Sequence, residues 1–435
     1  VEEHRLPIVA LTLVVDAGAA RDPAALPGVA SFTAAMVTEG TTGRTATQIS
    51  DEVGFLGASL GAGAGPDSAT LSGAVLSRHL ARYLAIFADV AMRPAFRRDD
   101  FERVQDQRRV TLLQQRDQPP TVAAKAFAAA FWGKHPYGHP VIGTEAGLAA
   151  TRPADLARFH SALWRPANAE LVVVGDVTEA ELQPLLDRTL GAWKAGKRAP
   201  ALPARPPAAP HQTIVVEKPG ASQSFLLLGS PGIDRRSPDY VAATVLFELL
   251  GGGTNSRLFR TLREEKGYTY GMGAGMDARR LAGGGVVHGY VKAEVTGPAL
   301  SELLAQLRLL RDEPVGAAEL ADAEEGIVRS LPSAFATVED VAGRLADLVV
   351  HGLPDDYWSG YGDAVQRVTP GDVQRVARQF LDPARITLVV VGPPGVDAAQ
   401  LRDLPLGPVE RRPQPAPGLL PRKRSPATPA ASATP

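Results

Sequence analysis

The sequence predicts an α+β fold: two homologous α/β-roll halves, each with a largely antiparallel sheet, closed on each other as a clamshell. Three observations carry this. Strand-like segments cluster in hairpin pairs while helical segments come in blocks, which argues against a doubly wound parallel sheet. The chain repeats itself: "DLARFHSALWRPANAELVVVGDV" from Asp155 answers "DVQRVARQFLDPARITLVVVGPP" from Asp372, and Asp155/Asp372, Pro166/Pro383 and Gly175/Gly392 are each 217 positions apart. Upstream, the Gly-Ala-Gly at 61–63 in "LGAGAG" (60–65) answers that at 273–275 in "GMGAGM" (271–276) at an offset of 212, and Gly40-Thr41 answers Gly253-Thr254 at 213, so loop insertions have shifted the register of a duplicated unit. Between the copies, "AGKRAPALPARPPAAP" (195–210) holds five prolines without apolar periodicity and reads as a stiff extended linker.

The elements follow in order. An apolar strand (about 7–16) leads to helices near 28–38 and 46–56. Alternating strands near 58–64 and 68–76 come next. Helices near 78–91, 98–116, 120–132 and 153–164 precede a closing strand at 169–175 and a short helix after Thr178. The second half has the same coarse order. Expected boundaries are 1–194 for the N-terminal half, 195–210 for the linker, 211–405 for the C-terminal half and 406–435 for a disordered tail of Pro, Ala and charge.

Composition narrows the function. With 435 residues, 45% hydrophobic, and a formal net charge of −1, the chain has ample core and no basic excess for nucleic acid. It contains no cysteine, which removes disulfides, thiolate metal sites and cysteine nucleophiles while leaving the compartment open. No apolar run of 18 residues is present, so no membrane-spanning helix is expected. The chain opens at Val1 inside a strand, which leads us to expect an upstream segment such as a signal peptide. An Ala-, Arg- and Pro-rich composition suits a GC-rich bacterial genome, with periplasm favoured and cytoplasm the alternative.

Three stretches and the histidines are the candidates for chemistry. "HPYGHP" (135–140) spaces His135 and His139 as a helical zinc pair would, but Pro136 and Gly138 break the helix, so a structural loop is expected. "GGGTNSR" (251–257) offers free N–H groups between helices. It lacks the preceding strand and the Gly-Lys-Ser/Thr ending of a phosphate loop, so a tight turn or a backbone surface open to peptide is the better reading. The eight histidines yield no specific Ser-His-Asp arrangement. "RLFRTLREEKGYTYG" (257–271) passes from a charged helix, through Gly267, to a strand-like segment where Tyr268 and Tyr270 share a face by period two.

Taken together, Ser-Arg-Leu-Phe, Leu-Arg-Glu and Gly-Tyr-Thr-Tyr in 251–271 resemble the C-terminal-half signature of the pitrilysin-type metallopeptidases, the inverted zincins that include mitochondrial processing peptidase. "DAGAARDPAALPGVASF", "HPYGHPVIGT" and "NAELVVVGDV" extend the resemblance over about residues 6–395. The family's active motif is His-x-x-Glu-His with a further glutamate some 75–80 residues on. Here the matching positions are Ser31, Ala34 and Ala35, and no glutamate lies between Glu102 and Glu145. A hydroxyl and two methyl groups give zinc no adequate donors, so no metal and no cofactor is expected in this chain. The resemblance also implies that an arginine and a tyrosine seven residues apart reach the substrate. Arg263 and Tyr270 match that spacing, which selects Tyr270 over Tyr268.

The implied function is that of the zinc-free subunit of a heterodimeric zinc metallopeptidase. It would bind extended peptide, with Gly251, Gly252 and Gly253 lining the substrate-facing turn. Arg263 and Tyr270 would complete the site of a homologous His-x-x-Glu-His partner that carries the zinc. Enzyme activity would then belong to the complex and not to this chain alone. The alternative is a family member that has lost catalysis and acts as an assembly scaffold or peptide-binding protein.

Overall fold

The computed structural model describes residues 1–202, 210–396, 400–401 and 404–414. The N-terminal part runs β1 (Ile8–Val15), α1 (Val29–Val37), α2 (Ala46–Phe55), β2 (Gly61–Ala64), β3 (Ala69–Leu76), α3 (Leu80–Met92), α4 (Arg98–Gln115), α5 (Pro119–Trp132), α6 (Glu145–Ala150), α7 (Pro153–Leu163), β4 (Ala169–Gly175) and α8 (Glu179–Thr189). The C-terminal part runs β5 (Gln212–Glu217), β6 (Gln223–Pro231), α9 (Tyr240–Gly251), a π-helical segment (Phe259–Glu265), β7 (Gly271–Ala278) and β8 (Gly283–Lys292). It continues with α10 (Thr296–Asp312), α11 (Ala317–Ser330), α12 (Val338–His351), α13 (Tyr361–Gln366), α14 (Pro370–Phe380), β9 (Thr387–Gly392) and β10 (Val409–Pro413).

Two sheets carry the duplication. The first has strand order β2-β3-β1-β4, and the second contains β7-β8-β6-β9, the same order, extended past β9 by β5 and β10. Every pair in the shared pattern is antiparallel, whereas β5 joins β9 and β10 joins β5 in parallel. Local chemistry repeats too. Asp155 and Asp372 each accept the N–H of the residue preceding their helix, from Arg152 (2.9 Å) and Thr369 (3.1 Å). Pro166 and Pro383 each start a one-turn 3₁₀ segment before the closing strand, where a fixed φ and a missing N–H cost nothing.

The halves are joined by more than the linker, because each lends a helix to the other's sheet. In β1, Val9, Leu11, Leu13 and Val15 face the helices of their own half, while Ala10 packs with Val174 and Ala74 against Ala342 of α12. Val338, Val341, Ala342 and Leu345 form the i, i+3, i+4, i+7 stripe by which α12 covers this second face. Reciprocally, Val122 and Ala123 of α5, with Ala126, Phe127 and Ala130, cover Phe225, Leu227, Val389 and Val391 of the C-terminal sheet. Burial on both faces explains why "IVALTLVV" is continuously apolar instead of alternating.

A polar latch reinforces the exchange. Arg280, in the turn between β7 and β8, donates from Nη1 to Asp16 Oδ1 (2.8 Å) and from Nε to the Val350 carbonyl (3.1 Å). Its main-chain N–H donates to Asp67 Oδ2 (3.0 Å), and the buried Asp67 also accepts from the Tyr137 hydroxyl.

One expectation changes. Part of the anticipated tail, 409–413, is an edge strand on β5, and Gln414 Nε2 donates to the Arg116 carbonyl (3.0 Å). "VERRP" is polar on both faces because an exposed edge strand buries neither, so the alternation that marks a strand is missing. The described part of the linker is tied to the N-terminal half. Asn168 Nδ2 donates to the Lys197 carbonyl (3.1 Å), and Ala199 N–H donates to Asn168 Oδ1 (2.6 Å). Residues 203–209 of the linker and 415–435 of the tail lie outside the described residues.

Candidate functional site

The first cluster surrounds the start of α1. Gly28 turns the chain into the helix at φ +102°, and a side chain there would strike the Ile142 carbonyl. Asp22, its carboxylate buried, accepts from Gly28 N–H (2.5 Å) and Ala30 N–H (2.7 Å), capping two otherwise unpaired donors. Burial pushes the Asp22 carboxyl up to about 6 against the opposing pull of those N–H groups, His139 and Arg108. Ser31 Oγ donates to the Val141 carbonyl (2.7 Å), Ala34 is fully buried and Ala35 is half-buried.

Opposite them, Arg108 reaches in from α4. Its Nη2 donates to Ser31 Oγ (2.7 Å) and to the Ile142 carbonyl (2.9 Å), and its guanidinium lies 5.0 Å from the centre of the Phe32 ring. Burial lowers its pKa to about 10, with Asp22 opposing the shift, so it remains a cation at neutral pH. Zinc needs imidazole, carboxylate or thiolate donors. The three motif positions present a hydroxyl and two methyl groups beside a resident positive charge, and the neighbouring Asp22 carboxylate is engaged by two N–H groups, so the lining does not fit the ion. Among the described residues no three His, Asp or Glu side chains converge to hold a metal elsewhere. Arg108 could have been noticed in the sequence. It interrupts the buried stripe Phe101, Val104, Leu112 on α4, a position where an unpaired cation would be costly.

His135 and His139 do not share a helical face. His135 caps the 3₁₀ turn Pro136–Gly138, accepting from Tyr137 N–H (3.2 Å), while His139 Nε2 lies 3.8 Å from Asp22 Oδ2. The loop reading of this stretch matches what is observed.

The second cluster lies at the end of the π-helical segment. Arg257 anchors the approach to this segment, donating to both Glu319 oxygens on α11 (2.7 and 2.9 Å). Thr261 and Leu262 are buried, which turns Arg263 outward. Widened helical turns of this type are frequent at functional sites. Gly267 reverses the chain at φ +65°, and Arg263 Nη1 donates to the Tyr270 carbonyl (2.7 Å) with its guanidinium 5.6 Å from the Tyr270 ring centre. Tyr270 is 80% exposed, whereas Tyr268 packs against the core. The two tyrosines therefore do not share surroundings as period two implied. They precede β7, and the buried Thr269, whose Oγ1 accepts from Gly271 N–H (2.9 Å), separates an inward from an outward ring.

The glycine turn is divided. Gly251 is buried under β7, where an added Cβ would meet Ala274 at 2.7 Å, while Gly252 and Gly253 are exposed. Gly253 borders a cleft of about 730 Å³ lined by Glu248, Glu319, Asp322 and Arg260. Burial raises the Glu248 carboxyl above its ordinary value.

Comparison with known proteins places this geometry. Residues 152–327 match the family profile described as "Peptidase M16 inactive domain", and residues 1–145 match "Insulinase (Peptidase family M16)". An uncharacterized zinc protease of Mycobacterium leprae is 29% identical over 64% of this chain and 63% of its own length. Another, from Mycobacterium bovis, is 28% identical over 88% of this chain and 87% of its own. The crystal structure titled peptidase M16 inactive domain from Pseudomonas fluorescens superposes with a TM-score of 0.85 at 28% identity, covering 90% of this chain and 95% of that one. A Helicobacter pylori protease shares the fold, with a TM-score of 0.81 at 22% identity over 89% and 95% of the two chains. The repeated sheet order and the two-part profile match agree, and the chain belongs to the M16 peptidase family.

Proposed function

We propose that this chain is the zinc-free subunit of a two-chain M16 peptidase, binding extended peptide and supplying Arg263 and Tyr270 to the site of a partner that carries the His-x-x-Glu-His motif. The observation that carries the reading is the exposed pair itself: an arginine bonded to the main chain of the tyrosine it accompanies, with the phenol ring left in solvent. In this reading the guanidinium fork binds peptide carbonyls, and the Tyr270 O–H donates to the carbonyl oxygen as negative charge develops there. No metal step is assigned to this chain.

Position supports action in trans. The β7–β8 turn touches the N-terminal half, while Tyr270 precedes the other end of β7, an eight-residue strand. At ~3.3 Å per residue this separates Tyr270 from the latch by about 26 Å. The β7 edge, paired only with β8 among the described strands and rich in Gly, leaves main-chain groups beside Tyr270 for an extended peptide.

The test is steady-state cleavage of a fluorogenic peptide by this chain reconstituted with a His-x-x-Glu-His homologue. Tyr270→Phe is expected to leave assembly and KM nearly unchanged and to lower kcat by roughly 10²- to 10³-fold. Arg263→Ala should raise KM as well, and Tyr268→Phe should be mild. A wild-type kcat for the Tyr270→Phe complex would leave the scaffold reading in its place.

A further inference from the structure

We infer that Arg108 is a built-in replacement for the metal ion: its guanidinium closes the pocket to zinc and ties α1 to α4, the two elements a bound ion would join, and adds the loop before α6. The inference rests on membership of the M16 family and on the match of Ser31, Ala34 and Ala35 to its metal motif. It does not depend on a partner chain.

Three features carry it. The guanidinium is within hydrogen-bond distance of the first ligand position, Ser31 Oγ at 2.7 Å, so an imidazole placed there would enter the volume Arg108 now fills. The same Nη2 reaches the Ile142 carbonyl at 2.9 Å, so one cation bridges α1, α4 and the loop before α6. Behind it, the buried Asp22 on the capping loop supplies compensating negative charge, as a carboxylate near a metal would. Lost ligands alone would leave a vacant polar pocket that restored ligands could refill. A resident monocation is different, because it repels a divalent ion at short range in a water-poor site. The loss of metal binding is thus locked by a residue outside the motif.

The experiment grafts ligands onto the full chain and measures zinc per chain by elemental analysis after dialysis, with cobalt absorption as a second reading of coordination. Graft A is Ser31→His, Ala34→Glu and Ala35→His with Arg108 kept. Graft B adds Arg108→Glu, and graft C adds Arg108→Lys. Grafts A and C are expected to retain under a tenth of an equivalent, graft B about one equivalent, with at least a hundredfold tighter zinc binding than A. Zinc should also raise the melting temperature of B and leave A unmoved. In the ungrafted chain, Arg108→Met should speed proteolytic nicking at residues 139–143, whereas Arg108→Lys should largely restore protection. One tightly held zinc in graft A overturns the inference. So does failure of a folded B to gain zinc over A, and, should the grafts not fold, so does unchanged nicking of Arg108→Met. None of these results bears on whether Tyr270 acts in trans, which the reconstituted complex reads separately.

Discussion

Replacing Arg280 by Met would test whether the two halves are one interlocked body. The side chain donates to Asp16 (2.8 Å), to the Val350 carbonyl (3.1 Å) and at longer range to the Asp67 carbonyl (3.4 Å), and the substitution removes all three while keeping an apolar stem of similar reach. Asp16 is not stranded, because Arg21 Nη2 still donates to its Oδ2 at 2.7 Å, so the large penalty of an unpaired buried charge does not apply. A charge-assisted hydrogen bond contributes about 1.5–3 kcal/mol. Arg280 and Asp16 are 24% and 25% exposed, which moves the expectation toward the lower end, about 2 kcal/mol. Equilibrium urea unfolding followed by tryptophan fluorescence is the assay, with Trp164 reporting the N-terminal core and Trp358 the C-terminal one in variants that retain only that indole. Wild type should give coincident transitions from the two reporters, since each sheet needs the other half's helix. In a double-mutant cycle, Asp16→Asn and Arg280→Met should couple by about 1 kcal/mol or more. A loss below about 0.5 kcal/mol, or transitions that are already separate in wild type, would refute the interlock.

Two further outcomes are expected. His160 is buried and hydrogen-bonded to the Ala91 carbonyl (2.9 Å), and burial holds its pKa down at about 4 against an ordinary 6.5. The unfolded chain takes up this proton first, so its contribution is complete above pH 6.5 and falls by about 3 kcal/mol as pH drops to 4. Asp22 has the opposite sign: its raised pKa of about 6 against 3.8 means stability rises by about 3 kcal/mol as pH falls through that window. The two contributions therefore oppose each other between pH 6.5 and 4. His160→Gln should become more stable on acidification, and Asp22→Asn less; urea midpoints across this range decide it, and parallel curves for all three proteins would contradict the assignment. Gly251→Ala should cost about 1–3 kcal/mol, because its Cβ would meet Ala274 Cβ at 2.7 Å. Gly253→Ala, whose nearest neighbour would be Glu248 Oε1 at 3.8 Å, should leave the melting temperature nearly unchanged.

The elements were legible where a side chain's role is local. Thr45 with Gln48, Thr178 with Glu181 and Thr369 with Asp372 each close a capping box, so these helix starts are written within four residues. The exchange of α5 and α12 was not legible, since an apolar stripe records that a face is buried and not which sheet buries it. The role of Arg108 is hidden in the sequence for a related reason. The sequence shows a charge interrupting the Phe101, Val104, Leu112 stripe and no glutamate on that helix, but what the charge does is visible only through its contacts with Ser31 and Ile142. At the Arg263–Tyr270 junction the seven-residue spacing picks out two residues that do meet, but period two failed because Thr269 is held inward before the strand begins.

These features bear jointly on where a peptide could be cut if the proposed reading holds. The N-terminal pocket is closed from within by Arg108, so restoring access there would mean breaking its bonds to Ser31 and Ile142. The halves cannot hinge apart without lifting α5 and α12 from the opposite sheets and releasing Arg280 from Asp16. A chamber opened inside this chain is therefore a costly solution. Tyr270 and Arg263 instead stand in solvent beside the edge of β7, paired only with β8 among the described strands, where under the proposed reading a peptide would add as a strand at no cost to either core. The reacting groups that this chain lacks would then arrive on a second surface facing that edge. Peptide affinity should accordingly reside partly in this chain alone, and fluorescence anisotropy of a labelled extended peptide, with and without the partner, measures that share directly.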